Sequence, residues 1–429
     1  MGRFGVESLG RLHALKRGVV SSTLGLALAG LVSAKAQTVQ YAVTDLGANL
    51  SGSALSASGN AAVGSAILPD GSTGFYWTNG VLSTPTIAEA PINNLSAISA
   101  DGAAYAGIFW GGAFGMDNPF VVSAGVVSDV GAALPDPFLA EVTTANNTSV
   151  FGFFIADDFT TIYPYRYNFV THQATVFPSP GEAEIMHANT NNVSVGYEII
   201  GGDSIYHACV WQADGTAQEL GVTGVANGNS NTGLVVGQRT DVNPWAAFAS
   251  SASGSTVSTL PALHAGDPAA AYAASDTGII VGLSGASACL WVDGSATNLN
   301  NLISSTNHCT LASAISISTD GTKILCNGSD TVGTPHAYLL TFLGTQPVGK
   351  TTTNALFPNI LSAVVKDGKI NISYAAVVGN VYQPQYTASV ARGAWQSLGS
   401  QQTATNTVMS FADATTNASR FYRVEAPAQ

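Results

Sequence analysis

Groups able to do chemistry are thinly spread along this chain. Its 429 residues hold four cysteines and seven histidines, against 26 Asp and Glu. Beyond residue 36 the histidines are His172, His187, His207, His264, His308 and His336, and none stands at metal-ligand spacing from another. No metal or other cofactor is therefore expected. Carboxylates are the abundant reagent. Glycoside hydrolysis needs two of them roughly 5–9 Å apart, and Asp157-Asp158, inside the loop expected from Phe153 to Phe159, is the most suggestive pair. No G-x-S-x-G nucleophile elbow occurs, and no catalytic residue is assigned.

What these groups can do depends on the elements that carry them, and those elements repeat. Residues 54–64 read ALSASGNAAVG, 97–107 AISADGAAYAG, 141–152 EVTTANNTSVFG and 187–196 HANTNNVSVG. The form returns at 225–237, 272–282 and 314–328, and the closing glycines are Gly64, Gly107, Gly152, Gly196, Gly237, Gly282 and Gly328. A period of roughly 43 residues marks a repeat architecture. Each copy reads as a β-hairpin, because turn residues such as Asp101-Gly102, Asn191-Asn192 and Asp320-Gly321 tolerate positive φ. The closing glycine removes a side chain where backbones approach or a strand bends.

A third strand follows each hairpin. Its inward column is Phe75, Phe120, Tyr165, Cys209, Phe248, Cys289 and Tyr338, each preceded by Gly, Pro or Ala. Cys209 and Cys289 are thus expected as small core residues. Cys309 and Cys326 flank one hairpin, but a turn at Asp320-Gly321 sets Cys326 near Ile315 instead. A fourth strand completes each unit, as at 126–131 and 217–221. The last unit lacks one, and residues 41–47 (YAVTDLG) supply its form. The prediction is a seven-bladed, all-β propeller of four-stranded blades, closed by its N-terminal strand.

The pattern of hairpin, G-x-x-V-G and then His207-Ala208-Cys209 or His336-Ala337-Tyr338 resembles the HAF-type extracellular repeat of bacterial exported proteins. The resemblance spans roughly residues 41–340 and implies a repeat fold and export, with no chemistry attached. Thr73, Asn118, Tyr163, Ala246 and Ser287 replace the histidine in the other repeats. The turns Ser99-Ala100-Asp101-Gly102 and Ser318-Thr319-Asp320-Gly321 are superficially similar to a sialidase Asp box, yet lack its spacing and following aromatic. A sialidase also needs three arginines at its substrate carboxylate, and the repeat region has Arg166 and Arg239.

Residues 1–36 read as a secretory signal, with Arg3, Arg11, Lys16 and Arg17 before an apolar run and Ala34-Lys35-Ala36 as the cleavage site. The domains are expected at 37–345 (propeller), 346–357 (linker) and 358–429. The last has short alternating strands, as in Ile370 to Tyr374, and suggests a small antiparallel β-sandwich. Its ending, from Trp395 through Asp413 to Arg420-Phe421-Tyr422-Arg423-Val424, resembles modules that end many secreted bacterial proteins.

The chain carries 14 Lys and Arg and a net charge of −12. Between residues 37 and 340 the only cations besides histidine are Arg166, Arg239 and Lys323. Such a body repels phosphate backbones, so nucleic acid is excluded as a partner. No stretch is long and apolar enough for a transmembrane segment. The loops between second and third strands should share one face, carrying Trp110, Phe114, Asp117, Phe154, Asp157, Asp158, Tyr197 and Glu198. Aromatics among acids suit sugar rings or peptide. The expectation is a secreted, non-catalytic protein that binds an extracellular polysaccharide or surface protein through that face. Two other readings stay open: a carbohydrate-active hydrolase or lyase with carboxylates near the propeller axis, and a structural surface protein without a discrete ligand.

Overall fold

The computed structural model describes residues 40–344, apart from 70, 88–91, 111–116, 180, 202–203 and 255–256. It also describes residues 360–425, apart from 367–368, 377–380, 388–394, 406–407 and 415–419. The expected export signal, linker and Phe114 lie outside the described residues. Within them the regular structure is nearly all strand, and the arrangement is propeller-like. The strands Leu50–Leu55, Ala61–Leu68, Gly71–Thr78 and Val81–Ser83 form a four-stranded meander in chain order. Meanders of the same form begin at Ile92–Ile98, Pro137–Ala145 and Ala269–Ala274. One sheet has seven strands, because Ala217–Asn229 is long enough to end the meander begun at Glu182–Ala188 and open the next. In the last sheet Tyr41–Ala48 pairs antiparallel with Pro335–Phe342, setting Tyr41 opposite Phe342.

Two local devices recur in every repeat. The first is in the hairpin turn. Ser56, Ser99, Asn146, Asn189, Ser230, Ser275 and Ser318 are all buried at the turn's first position. Each side-chain oxygen accepts the backbone N–H that restarts the second strand, as Ser99 Oγ does from Ala104 N at 2.8 Å and Ser318 Oγ from Lys323 N at 2.9 Å. The turn itself closes with Gly102 N donating to Ser99 O and Gly321 N to Ser318 O, and both glycines sit at positive φ.

The second device is a β-bulge opposite each closing glycine. Register shifts between Gly52 and Ala54, Val142 and Thr144, and Ile185 and His187 flank the partners of Gly64, Gly152 and Gly196. There the carbonyl of the facing strand folds over the glycine. A β-carbon on Gly152 would lie 1.9 Å from Glu141 O, one on Gly196 1.9 Å from Glu184 O, and one on Gly328 2.1 Å from Thr310 O. No other residue fits. The aromatic or cysteine column lies across from the glycines, with Phe75 opposite Gly64, Tyr165 opposite Gly152 and Cys209 opposite Gly196. That whole column is buried, as the alternation predicts.

Neighbouring sheets share cores. Phe151 of one packs with Ala183, Ile185 and Trp211 of the next. Leu325, Ala337 and Leu339 of the last sheet pack with Leu50, Ala62 and Phe75 of the first. All four cysteines are free, and Cys326 faces Ala314 while Cys309 faces Asp330, so the turn separates them as expected. Beyond residue 359, Ile360–Lys366, Lys369–Ala375 and Val408–Ala414 form one small sheet and Val381–Thr387 centres another. They share a core of Ile372, Tyr374, Tyr382, Phe411 and Val424. The C-terminal residues singled out by sequence interlock there: Arg420 Nη1 and Tyr422 OH both donate to Asp413 Oδ2, at 2.5 and 2.9 Å. The Arg423 guanidinium lies 4.4 Å over the Trp395 ring.

The bulge glycines should be far less tolerant than loop glycines. Gly152→Ala is expected to cost about 2 kcal/mol or more, because the clash is with backbone that cannot swing aside. Gly131→Ala, whose β-carbon would meet nothing closer than 3.4 Å, should be near neutral. Thermal unfolding of the two variants beside the parent protein checks this.

Candidate functional site

The bulges also shape the space on the repeat axis. The extra residues they introduce include Ser53, Thr143, Met186, Asn227, Tyr272 and Ile315. These line one cavity of about 310 Å³, to which every repeat contributes. Bulged side chains also tie each sheet to the next. Thr143 Oγ1 donates to Ile185 O at 2.6 Å, Asn227 Nδ2 to Ala271 O at 3.0 Å, and Ser96 Oγ to Val142 O.

The hairpin turns border the same cavity and are linked in a circuit. Ala57 N donates to Ala100 O at 2.9 Å, Asp101 N to Asn147 Oδ1 at 2.9 Å, and Asn146 Nδ2 to Asn189 O at 3.3 Å. Thr190 N then donates to Asn231 Oδ1 at 3.0 Å, and Asn231 N to Asp276 Oδ1 at 2.7 Å. Asp276 N donates to Thr319 O and Thr319 N to Ala57 O, both at 2.9 Å, which returns to the starting turn.

The polar chemistry of the cavity rests on His187, Asn229, Tyr272 and Asp276. Asn229 Nδ2 donates to Val193 O at 3.0 Å, which turns Asn229 Oδ1 toward His187 Nδ1 at 2.8 Å. An amide oxygen only accepts, so in this 2.8 Å bond Nδ1 carries the proton and Nε2 keeps its lone pair; Asn229 N also approaches Nδ1, but at 3.5 Å, and the shorter contact sets the tautomer. Burial holds the His187 imidazole below its ordinary range, against an opposing pull from Asn229. Burial also pushes the Tyr272 hydroxyl up, so both groups are neutral at pH 7. Asp276 is the one carboxylate among the described lining residues, and no lysine or arginine is there. Its two oxygens accept from Asn231 N and Asn231 Nδ2, which are neutral donors.

Among the described residues, those expected to form a binding face are not brought together as one surface. Phe154 belongs to the strand Ser149–Ala156, not to a loop, and is 1% exposed within the core shared by two sheets. It cannot touch a ligand there. Glu198 is also buried, at 3% exposure, and burial with the nearby Glu219 pushes its carboxyl up. Tyr197 is half-buried, donates to Glu184 and packs edge-on against Tyr206 with ring centroids 4.6 Å apart. Asp158 is exposed but caps its own turn, accepting from Thr160 N and Thr161 N at 2.9 and 2.8 Å. Those bonds and the Thr161 hydroxyl pull its carboxyl down to about 2, the wrong direction for a general acid. Asp157 is exposed. Trp110 and Asp117 pair across neighbouring strands. Their side chains, and Phe114, lie outside the described residues.

Sequence reading missed His187, Asn229, Asp276 and Tyr272. The available signal was positional: His187 and Tyr272 open two of the repeat copies, and Asp276 occupies a turn.

No family model matches this chain, and no curated protein matches it. Solved structures do. The β-propeller domain of the Trilobed protease from Pyrococcus furiosus aligns with a TM-score of 0.50 at 10% identity, over 70% of this chain and 99% of that one. A prolyl endopeptidase structure aligns with a TM-score of 0.47 at 11% identity, over 79% of this chain and 53% of that one. TolB from Acinetobacter baumannii aligns with a TM-score of 0.38 at 13% identity, over 51% of this chain and 55% of that one. The chain thus spans about half the length of TolB and the endopeptidase, and nearly all of the protease's propeller domain. The alignment with the protease's propeller domain supports a propeller-like fold and nothing beyond it. The expectation of a non-catalytic binder of polysaccharide or protein through the loop face is overturned. The propeller domain that aligns at a TM-score of 0.50 belongs to a protease, and Phe154, Glu198 and Asp158 are buried or already engaged. Carbohydrate chemistry at the axis is likewise unsupported, because the described cavity wall offers one carboxylate where a pair is needed.

His187 should leave a mark on stability. Its folded pKa is depressed, so as pH falls below about 6.5 the unfolded chain takes up the proton first. Its contribution is full above that pH and is lost as pH falls toward the folded value. Unfolding midpoints measured from pH 7.5 to 5 should fall more steeply for the parent protein than for His187→Gln.

Proposed function

We propose that this chain is an exported seven-bladed β-propeller followed by a small C-terminal β-sandwich, and that it serves peptide hydrolysis. Its propeller admits an extended peptide segment to the axial cavity. The blade count rests on the seven turn-and-bulge units and on the turn circuit that returns to Ala57. Export rests on the basic-apolar leader and the HAF-like repeat.

The observation that carries the functional reading is the chemistry of the cavity wall. Asn146, Asn189, Asn227 and Asn231 line it beside main chain from every repeat, and Tyr272 is the one described aromatic there. Amide side chains and backbone match the alternating donors and acceptors of a peptide, whereas a sugar site is built on aromatic platforms. A volume of about 310 Å³ fits a few residues of chain. Likeness to a protease's propeller domain lends support to the class of substrate.

Fluorescence anisotropy with labelled hexapeptides tests this. The folded protein should bind saturably, and Met186→Trp, which fills the cavity, should weaken binding at least tenfold. Absence of saturable binding by the folded parent protein, or full affinity in the filled variant, would exclude the axial cavity as the peptide site.

A further inference from the structure

The axial cavity is built to accept hydrogen bonds and positive charge. Asn229 fixes His187 with its Nδ1 protonated, because its own amide nitrogen is already committed to Val193 O. The remaining ring nitrogen is an acceptor, and burial keeps the ring uncharged. His187 is half-buried and lines the cavity. Asp276 adds a carboxylate to the same wall. Its partners are the neutral N–H groups of Asn231, so its charge is hydrogen-bonded but not cancelled. Tyr272, kept protonated by burial, offers a hydroxyl oxygen that can accept as well as donate. The wall has no lysine or arginine among its described residues. Asp276 is half-buried, and a carboxylate on a cavity wall without a cationic side chain favours a cationic ligand. No three His, Cys, Asp or Glu among the described residues stand close enough to hold a metal ion.

From this we infer that the axial cavity binds a primary ammonium group, an inference that rests on the peptide reading for its natural source. A compact cation with three N–H donors finds an imidazole nitrogen, a carboxylate and carbonyl oxygens among the residues that line this one cavity. A peptide's free N-terminus carries that group, and so does a small organic amine. Neutral His187 is essential, since a protonated ring would repel the ligand.

Isothermal titration at pH 7.5 separates the sources. The probes are trialanine with a free N-terminus, N-acetyl-trialanine and n-butylammonium chloride. Trialanine and n-butylammonium should both bind, and the acetylated peptide should not. Asp276→Asn and His187→Leu should each lower affinity for the two amines at least tenfold, with unfolding midpoints confirming that the variants are folded. Binding of n-butylammonium without trialanine would uphold the ammonium site and remove the peptide reading. Equal binding of acetylated and free trialanine would overturn the ammonium site and leave the peptide reading standing. If the Asp276 variant fails to fold, the acetylation comparison on the parent protein still decides. No binding of either amine to the folded parent protein sinks the inference.

Discussion

A carbonyl oxygen resting on a bare α-carbon is the contact on which the rest of this structure depends. In each repeat the innermost strand gains an extra residue beside the glycine's partner, and the carbonyl of the residue before that partner occupies the place a β-carbon would take on the facing strand. Glycine is the residue that can stand there. The bulge bends the inner strand, turns extra side chains such as Thr143 and Asn227 toward the neighbouring sheet, and lets them reach its carbonyls. The large or sulfur-bearing residue across from the glycine, Phe75 or Cys209 among them, fills the room left by the missing side chain. One backbone constraint thus fixes strand curvature, sheet-to-sheet linkage and the wall of the axial cavity.

The second dependence is on polarity inside the wall. Seven buried Ser and Asn oxygens anchor the turns. A buried hydroxyl or amide without a partner would cost about 1–3 kcal/mol, and here each accepts a strand N–H. Three of the anchors and their neighbours, Asn146, Asn189 and Asn231, have amide nitrogens as well, and these extend to the next turn. The turns are therefore coupled to one another as well as to their own hairpins. The three cations of the repeat region are spent locally: Arg166 on Ala213 O, Arg239 on Asp241 and Lys323 on Asn60. None is left to neutralise the carboxylate at the axis.

Much of the fold was legible because it is written locally. Turn residues, closing glycines and the aromatic-or-cysteine column each follow from period and alternation, and the last-sheet pairing of residues 41–48 followed from a matching TDLG and QELG. The site was not legible in the same way. Which residue a bulge displaces depends on the register between two strands, and a single inserted residue reverses the facing of everything after it. Phe154 is an example: two positions beyond Gly152, its sequence context reads as loop, but the strand runs on to Ala156 and turns the ring inward. His187 shows its counterpart, a residue of unremarkable spacing that becomes distinctive once Asn229, 42 positions away, fixes its tautomer.

The pairing of Tyr41–Ala48 with Pro335–Phe342 joins residues 291 positions apart at Asp45 and His336. The strand made first is the one paired last. While the chain is being produced, each meander can form from neighbours already present, because its own strands are close in sequence. The last sheet alone must recruit from the far end. A chain stopped before Pro335 would keep residues 41–48 unpartnered and one sheet edge open, and open edges invite aggregation and proteolysis. The pairing therefore joins the two ends of the repeat region, and a chain cut short within that region leaves its first strand without a partner.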